Sequence, residues 1–286
     1  MIGKTEQTTG DNSAAYQSNG DMTVHHYGMD FQNVKQLCLA LINDNAPKLQ
    51  QEAMQSAINN VLEFAEQLRI EIEKINVRIS PSKLTEPDVQ AALNDAVQGA
   101  AIKGQKSDLN LLASLVASRL DTENSDLLDI TIEQAIKIIP KLTRSHLDFL
   151  AVKHLISHMS ITSSELEVIY SRFESLANPV LTQCGGNCIL TEGNIQYLAG
   201  VGVLTYTPMF SHDVWEVQHN PYLKLEADKE RFKAGIEKNA PSFFSLIQTY
   251  EKNKFPGVQL NSFGMAIALT RLSNLLGPLD LKTWIN

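Results

Sequence analysis

The feature that most constrains this chain is a long amphipathic segment from Pro47 to Val77. Its apolar residues are Met54, Ile58, Val61, Ala65, Leu68, Ile72 and Ile75. Their alternating spacings of four and three residues are typical of a helix that packs along another helix. Because the pattern lasts only three heptads, the neighbouring helix can belong either to the same domain or to another subunit.

Most of the chain after Asp30 also contains residues that are typical of helix starts and helix ends. Gly104, Pro140 and Gly277 predict helix ends, because glycine and proline interrupt helical hydrogen bonding or favour a cap. Thr162 and Glu165 have the spacing of a capping box. Helix starts are predicted at or near Asp30, Pro47, Glu86, Ser107, Ser145, Thr162, Thr191, Pro241 and Ser262.

The first 29 residues differ in composition and predict a β-hairpin. Asn19 and Gly20 both tolerate the positive φ of a tight hairpin turn, and the flanks containing Tyr16 and Val24 have the character of short strands. An isolated hairpin is marginal in water, so it needs a surface of this chain or equivalent hairpins of other subunits. The alternative is a disordered leader, which is common for polar N-terminal segments.

A second β-hairpin is predicted around residues 203–217. Two apolar runs, 203–206 and 214–217, follow a short helix at 191–199, which is the order of a winged-helix-like unit. We therefore predict a mainly α fold with an N-terminal β-hairpin, a multi-helix central region and a C-terminal winged-helix-like helical unit. The predicted domains are residues 1–29, 30–140 and 141–286.

Composition excludes several classes of protein. Hydrophobic residues make up 43% of the chain, yet no run reaches the roughly 18 apolar residues that span a bilayer. The start of the chain lacks an apolar signal core, and three cysteines do not indicate a disulfide framework. We therefore expect a cytoplasmic protein without a membrane segment. Its net charge of −8 also disfavours generic nucleic-acid binding.

Four residues form the most suggestive metal-binding pattern. His154 and His158 are one helical turn apart, and Cys184 and Cys188 bracket a Gly-Gly pair. Two imidazoles and two thiolates can complete a tetrahedral zinc site. Both histidines, however, lie on the apolar stripe of their helix, where a packed core histidine is the ordinary outcome. We predict no cofactor and keep zinc as the alternative.

A few single residues are compatible with two further activities. Cys184 with a distant histidine is a minimal nucleophile pair, and Arg144, Lys153 and Arg172 are possible phosphate contacts for a winged helix. The candidate recognition helix at 191–199 contains no lysine or arginine, whereas a DNA reader usually offers cations there. We therefore expect the winged unit to pack against protein.

The chain resembles an uncharacterised bacterial family that is known mainly by locus-style names. The matching stretches are Gly10–Val24, Tyr27–Leu39, Thr85–Ala96, Ile138–Val152, Asn194–Leu204 and Phe263–Ile285. Similar Gly-Asp-Asn-Ser leaders precede varied modules in bacterial conflict proteins. The resemblance therefore implies a role in phage defence or abortive infection, but it implies no catalytic residues.

We predict a non-enzymatic, self-associating interaction protein of defence or stress response. Its expected partners are further copies of itself and a protein encoded nearby. The predicted oligomerisation residues are Tyr16, Asn19, Gly20, Val24, Ile58, Val61, Leu68 and Ile72. The alternatives are a DNA-binding regulator and a zinc- or cysteine-dependent enzyme.

Overall fold

The computed structural model describes residues 31–45, 51–75, 83–121, 124–209, 213–253 and 255–285. Within these ranges the chain forms twelve α-helices and one two-stranded antiparallel sheet, so the prediction of a mainly helical fold is confirmed. The first five helices are α1 (Phe31–Asn45), α2 (Gln51–Ile75), α3 (Pro87–Lys103), α4 (Leu109–Arg119) and α5 (Asp126–Ile138).

The later elements are mostly helices, with two short strands far apart in the sequence. The helices are α6 (Arg144–His158), α7 (Leu166–Cys184), α8 (Glu192–Val201), α9 (Val214–His219), α10 (Lys229–Asn239), α11 (Pro241–Lys252) and α12 (Ser262–Leu276). The strands are β1 (Leu204–Tyr206) and β2 (Val258–Leu260). No helix in the described ranges is both long enough and apolar enough to cross a bilayer.

The main hydrophobic core contains buried side chains from all twelve described helices. The last helix, α12, packs against α4 and α5 as well as against α6 and α7. It therefore connects the first part of the described chain to the second. The predicted domain boundary at residue 140 lies within this connected core and stays a prediction.

Polar side chains cap the N-terminal ends of several of these helices. Asp108 accepts a hydrogen bond from the backbone N–H of Leu111 at the start of α4, as expected for an N-cap aspartate. At the start of α6, Thr143 and His146 cap each other reciprocally. The capping box predicted at Thr162 and Glu165 does not form, because Glu165 is the residue that precedes α7 and makes no side-chain cap bond.

The apolar seam of α2 packs inside the chain's own fold. Val61 and Leu68 are buried, and Ile58 and Ile72 are partly buried. Helices α1, α3 and α4 pack on α2, and Leu68 and Ile72 share an apolar pocket with Val116 of α4. Neighbouring helices of the same chain therefore remove most of this surface from water. The oligomerisation role of these four residues stays a prediction.

The remaining predicted oligomerisation residues are Tyr16, Asn19, Gly20 and Val24. They lie outside the described residues, together with the whole of the predicted N-terminal hairpin. The self-association predicted for this segment stays a prediction.

The predicted wing does not form. Strand β1 pairs with β2, with Leu204 opposite Leu260, and the segment predicted as the second strand is helix α9. The Asp213 side chain accepts hydrogen bonds from the backbone N–H groups of Trp215 and Glu216, which caps the start of a helix at that place. The apolar run at 214–217 therefore predicted a strand where the structure has a short helix, which buries Val214 and Trp215.

Arg119, the last residue of α4, holds three elements together. Its side chain is only 2% exposed and contacts three carboxylates. The guanidinium lies 2.5 Å from Asp88 of α3, 2.9 Å from Asp129 and 3.0 Å from Glu133, both of α5. The fork of the guanidinium can satisfy several carboxylates at once, which a lysine ammonium cannot do with the same geometry.

We expect Arg119→Met to lower the free energy of unfolding by about 3 kcal/mol, because it leaves Asp129 and Glu133 beside each other without a cation. The free energy of unfolding of Arg119→Lys should lie between those of Arg119→Met and the wild type. Urea unfolding followed by circular dichroism measures the effect. As a matched control, Arg231→Met removes an exposed arginine that lies 3.8 Å from Asp228 and should change stability by less than about 0.5 kcal/mol. Equal effects of Arg119→Met and Arg231→Met would contradict the role of Arg119.

Candidate functional site

A cleft of about 660 Å³ lies between the end of α2, helices α4, α5 and α12, and the segment after α12. Small-molecule sites in proteins have volumes of roughly 300–1,000 Å³. The apolar residues of the lining, which we call its base, are Leu128 and Ile132 of α5 and Leu279 and Leu281 of the C-terminal segment. Leu279 is partly exposed, and the other three are buried. Polar and charged side chains form the other walls, so the cleft has both an apolar and a hydrogen-bonding surface.

Hydroxyl groups line the α4 and α12 walls as hydrogen-bond acceptors. Ser114 donates its hydroxyl proton to the carbonyl of Asn110 (2.9 Å), Ser118 donates to the carbonyl of Ser114 (2.9 Å), and Thr270 donates to the carbonyl of Ala266 (2.8 Å). Each bond stays within its own helix, a common arrangement for serine and threonine. Because a hydroxyl has one proton and two lone pairs, these groups keep acceptor capacity but have no proton left to donate.

The α12 wall continues with Ser273 and Asn274. These two residues lie three and four positions after Thr270, so the three polar side chains share one face of an otherwise apolar helix. Ser273 accepts a hydrogen bond from the backbone N–H of Leu279 (3.1 Å), which holds the C-terminal segment against the cleft. The chain turns there because Gly277 has a positive φ of 95°, which glycine adopts without strain.

Asn274 contributes an unused donor to this wall. Its Oδ1 accepts a long hydrogen bond from the Ser114 hydroxyl (3.4 Å), whose proton is shared with the carbonyl of Asn110, and its Nδ2 is buried without a hydrogen-bond partner among the described residues. An amide nitrogen without a partner in a buried position is unfavourable by about 1–3 kcal/mol. A bound molecule or water with an acceptor would remove this penalty.

The charged residues of the cleft form two ion pairs at its rim. Glu71 Oε1 lies 2.6 Å from Lys74 Nζ, and Asp121 Oδ2 lies 2.9 Å from Lys282 Nζ. The Asp280 side chain accepts a hydrogen bond from the backbone N–H of Lys282. The lining thus contains three carboxylates and two lysines.

Behind the α12 wall lies a buried ionic cluster. Arg271 Nη2 lies 2.9 Å from Asp148 Oδ1 of α6, and Arg271 Nη1 lies 3.3 Å from Asp108 Oδ2, the cap of α4. The Asp148 carboxylate is fully buried, and its charge and that of Asp108 raise the pKa of Arg271 against the opposing effect of burial. This cluster fixes the position of α12 relative to α4 and α6.

Cys184 and Cys188 lie beside Asp148, and both are buried free thiols. Burial, together with the charge and hydrogen bond of Asp148, raises the pKa of Cys184 to about 12. Burial raises the pKa of Cys188 to about 11, and its Sγ contacts the carbonyl of Gly185 at 3.5 Å. Both thiols stay protonated at neutral pH, whereas a cysteine nucleophile requires a thiolate.

His154 and His158 lie elsewhere and contact aromatic rings. They stack on each other with ring centroids 4.9 Å apart, and Trp284 packs edge-on against His154 at 5.0 Å. Burial and the neighbouring His158 lower the pKa of His154 to about 3. Within the described ranges, no group of three histidine, cysteine, aspartate or glutamate side chains is placed to hold a metal. The zinc arrangement of these histidines with Cys184 and Cys188 is therefore not formed.

Lys153 is buried, which corrects its predicted role as a phosphate contact. Its side chain is 2% exposed, and Nζ donates to Tyr250 Oη (2.6 Å) and to the carbonyl of Phe255 (3.1 Å). Burial lowers the pKa of Lys153 to about 7. The other two proposed DNA contacts, Arg144 and Arg172, are exposed. In the described residues the wing is absent and Lys153 lies inside the fold, so the alternative arrangement, a winged helix with these three phosphate contacts, does not form there.

Sequence reasoning missed the cleft, although part of its signal was readable. Ser114 and Ser118 are one helical turn apart in a strongly apolar helix, and Thr270, Ser273 and Asn274 form a polar stripe in another. Such stripes mark a helix face that differs chemically from the apolar faces, although Ser114 and Thr270 are themselves buried. The stripes do not indicate that the two faces meet, which requires the tertiary structure.

We expect Lys153→Met to raise the free energy of unfolding at pH 7 by about 1–3 kcal/mol, because it removes a buried amine that burial disfavours as a cation. The pKa of Lys153 is about 7 in the folded chain and 10.5 as the ordinary value. The unfolded chain therefore binds more protons between these values, and wild-type stability should rise as pH rises from 7 to 10.5.

The advantage of Lys153→Met should accordingly shrink between pH 7 and pH 10 in urea unfolding experiments. Lys238→Met on the surface of α10 is the matched control and should show no such trend. If Lys153→Met is destabilised by the same amount at every pH, then burial does not disfavour the charged form of Lys153, and the interpretation is wrong.

Comparison with known proteins identifies a family for the chain. No curated protein and no solved structure matches it. Residues 28–227 and 223–285 both match the model of a single protein family, described by a locus-style name that ends in "-like". Together the two matches extend over most of the sequence, including every described helix. The chain belongs to this locus-named family.

Proposed function

We propose that this protein is a non-enzymatic binding protein that takes a small molecule into the cleft between α2, α4, α5 and α12. The observation that carries the proposal is the composition of the cleft wall: an apolar base faced by hydroxyl acceptors and by the unpartnered Nδ2 of Asn274. Binding sites commonly combine an apolar surface with a few convergent polar groups.

The same wall argues against hydrolytic or nucleophilic chemistry in the cleft. The hydroxyl protons of Ser114, Ser118 and Thr270 are donated to main-chain carbonyls, which are not bases that could activate them. The cysteines lie on the other side of α12, beside Asp148, and are protonated at neutral pH. Binding without chemistry is therefore the activity that this wall supports best.

A tryptophan placed in the cleft tests the proposal. Ser118→Trp should fill the cleft with little other change, because the Ser118 hydroxyl bonds only within α4. Ser175→Trp is the matched control, since Ser175 is an exposed helical serine whose hydroxyl donates to the carbonyl of Arg172 in α7. We expect small-molecule fragments screened by ligand-observed NMR to bind the wild type and Ser175→Trp but not Ser118→Trp.

The wild-type chain should also gain thermal stability with the fragments that bind, as any ligand specific for the folded state requires. Fragment binding that Ser118→Trp leaves unchanged would place the binding site elsewhere. A complete lack of binding at millimolar fragment concentrations would refute the proposal.

We further propose that residues 1–29 mediate self-association. The supporting feature of the sequence is the turn predicted at Asn19-Gly20 between two short strand-like runs, since an isolated hairpin needs a partner surface. The resemblance of residues 10–24 to leaders of bacterial conflict proteins is what supports a role in phage defence or stress response.

If this segment joins subunits, deletion of residues 1–29 should reduce the number of subunits per particle, obtained by dividing the mass from light scattering by the mass of one chain. Gly20→Val is a milder variant, because a β-branched residue disfavours the positive φ of the predicted turn. It should weaken association without removing any other side chain. The same number of subunits in both variants as in the wild type would refute the role of the segment.

A further inference from the structure

One buried carboxylate distinguishes the polar side of the cleft. Glu71 is only 5% exposed, although it lies in the last turns of α2 and lines the cleft. Its ion-pair partner, Lys74, has a side chain that is 57% exposed. A flexible, solvated lysine is a replaceable partner, whereas the carboxylate is held in place by its helix.

Three hydroxyl groups of the lining add hydrogen-bond acceptors to the cleft that contains this carboxylate. The hydroxyl oxygens of Ser114, Ser118 and Thr270 accept, because their protons are already donated within their helices. The carboxylates of the lining also outnumber its lysines. A ligand that brings N–H donors and positive charge matches this wall, whereas an anion would face repulsion and a shortage of donors.

The apolar base requires an apolar body in the same ligand. Leu128, Ile132, Leu279 and Leu281 provide this base, and Leu279 is the one of the four that is partly exposed. Burial of apolar ligand surface against such side chains favours binding. A small hydrated inorganic cation would leave this part of the cleft unused.

We infer that the cleft binds an organic amine, with an ammonium group on Glu71 and an apolar or aromatic body on the leucine and isoleucine base. This inference rests on the proposed small-molecule binding in the same cleft. The ligand ammonium replaces Lys74 Nζ at Glu71, and Lys74 moves into solvent. An acceptor on the ligand can take the free hydrogen bond of Asn274 Nδ2.

Three indole compounds that differ in charge test the inference on the full-length protein. Tryptamine is a cation, tryptophol replaces its ammonium with a hydroxyl, and indole-3-acetate is an anion. Isothermal titration calorimetry and ligand-observed NMR measure their affinities. We expect tryptamine to bind at least about tenfold more tightly than tryptophol, because a hydrogen bond to a charged group is stronger than one between neutral groups.

The two residues of the ion pair should give opposite results. Glu71→Gln should remove most of the preference for tryptamine over tryptophol, because the amide keeps the shape without the charge. Lys74→Gln should increase tryptamine affinity severalfold, because the competing cation is gone. Glu71→Gln is nearly isosteric, and the Lys74 side chain is largely exposed, so circular dichroism should show that each variant is folded.

The outcomes separate this inference from the proposed function. Preference for tryptophol or indole-3-acetate, abolished by Ser118→Trp, would overturn the amine inference and leave small-molecule binding in the cleft intact. Equal effects of Glu71→Gln and Lys74→Gln on tryptamine would also overturn it. No binding of the indoles or of any fragment in the cleft would overturn both.

Discussion

The buried interaction of Arg271 with Asp148 and Asp108 determines where the last helix lies. Arg271 belongs to α12, Asp148 to α6, and Asp108 caps α4, so one guanidinium connects three helices that are distant in sequence. Desolvation offsets much of the attraction in such a cluster, so its main effect is to select one arrangement over others. With Arg271 held on one face of α12, Thr270 and Asn274 face α4 and the cleft. The cleft therefore depends on an interaction that contributes no atom to its lining.

Local signals in the sequence located most helices, because caps and breakers act within a few residues. Pro87 begins α3, Gly277 ends α12, and the spacing of apolar residues identified the buried face of α2. The wing prediction was wrong for the same reason that the helix predictions were right. A short stretch such as Val214-Trp215-Glu216-Val217 satisfies a strand pattern, and only the bonds of Asp213 to the following N–H groups favour a helix there. The strand that pairs with β1 is β2, more than fifty residues later, and no local sequence pattern predicts this pairing.

The chemical candidates show a second limit of sequence reasoning. His154 and His158 do share a helix face, as the spacing predicts, and their rings stack. Asp148, however, lies six residues before His154, which is about 240° around the helix. The cysteines pack near Asp148, and the histidines pack near Trp284. The spacing of residues along one helix predicts which side chains are neighbours on that helix. Which other elements they contact depends on the direction in which each face of the helix points in the folded chain. The proposed metal set therefore contained two pairs that belong to different sides of α6.

The distribution of cations completes the physical picture of the surface. The net charge of −8 counts every lysine and arginine equally, yet Arg119, Lys153 and Arg271 are buried inside the described fold. Arg119 and Arg271 neutralise carboxylates there, and Lys153 bonds to neutral oxygens. These cations are therefore not available to attract phosphate at the surface. The lining of the cleft also contains more carboxylates than lysines, so its charge has the same sign as that of the whole chain and would favour the approach of the proposed amine.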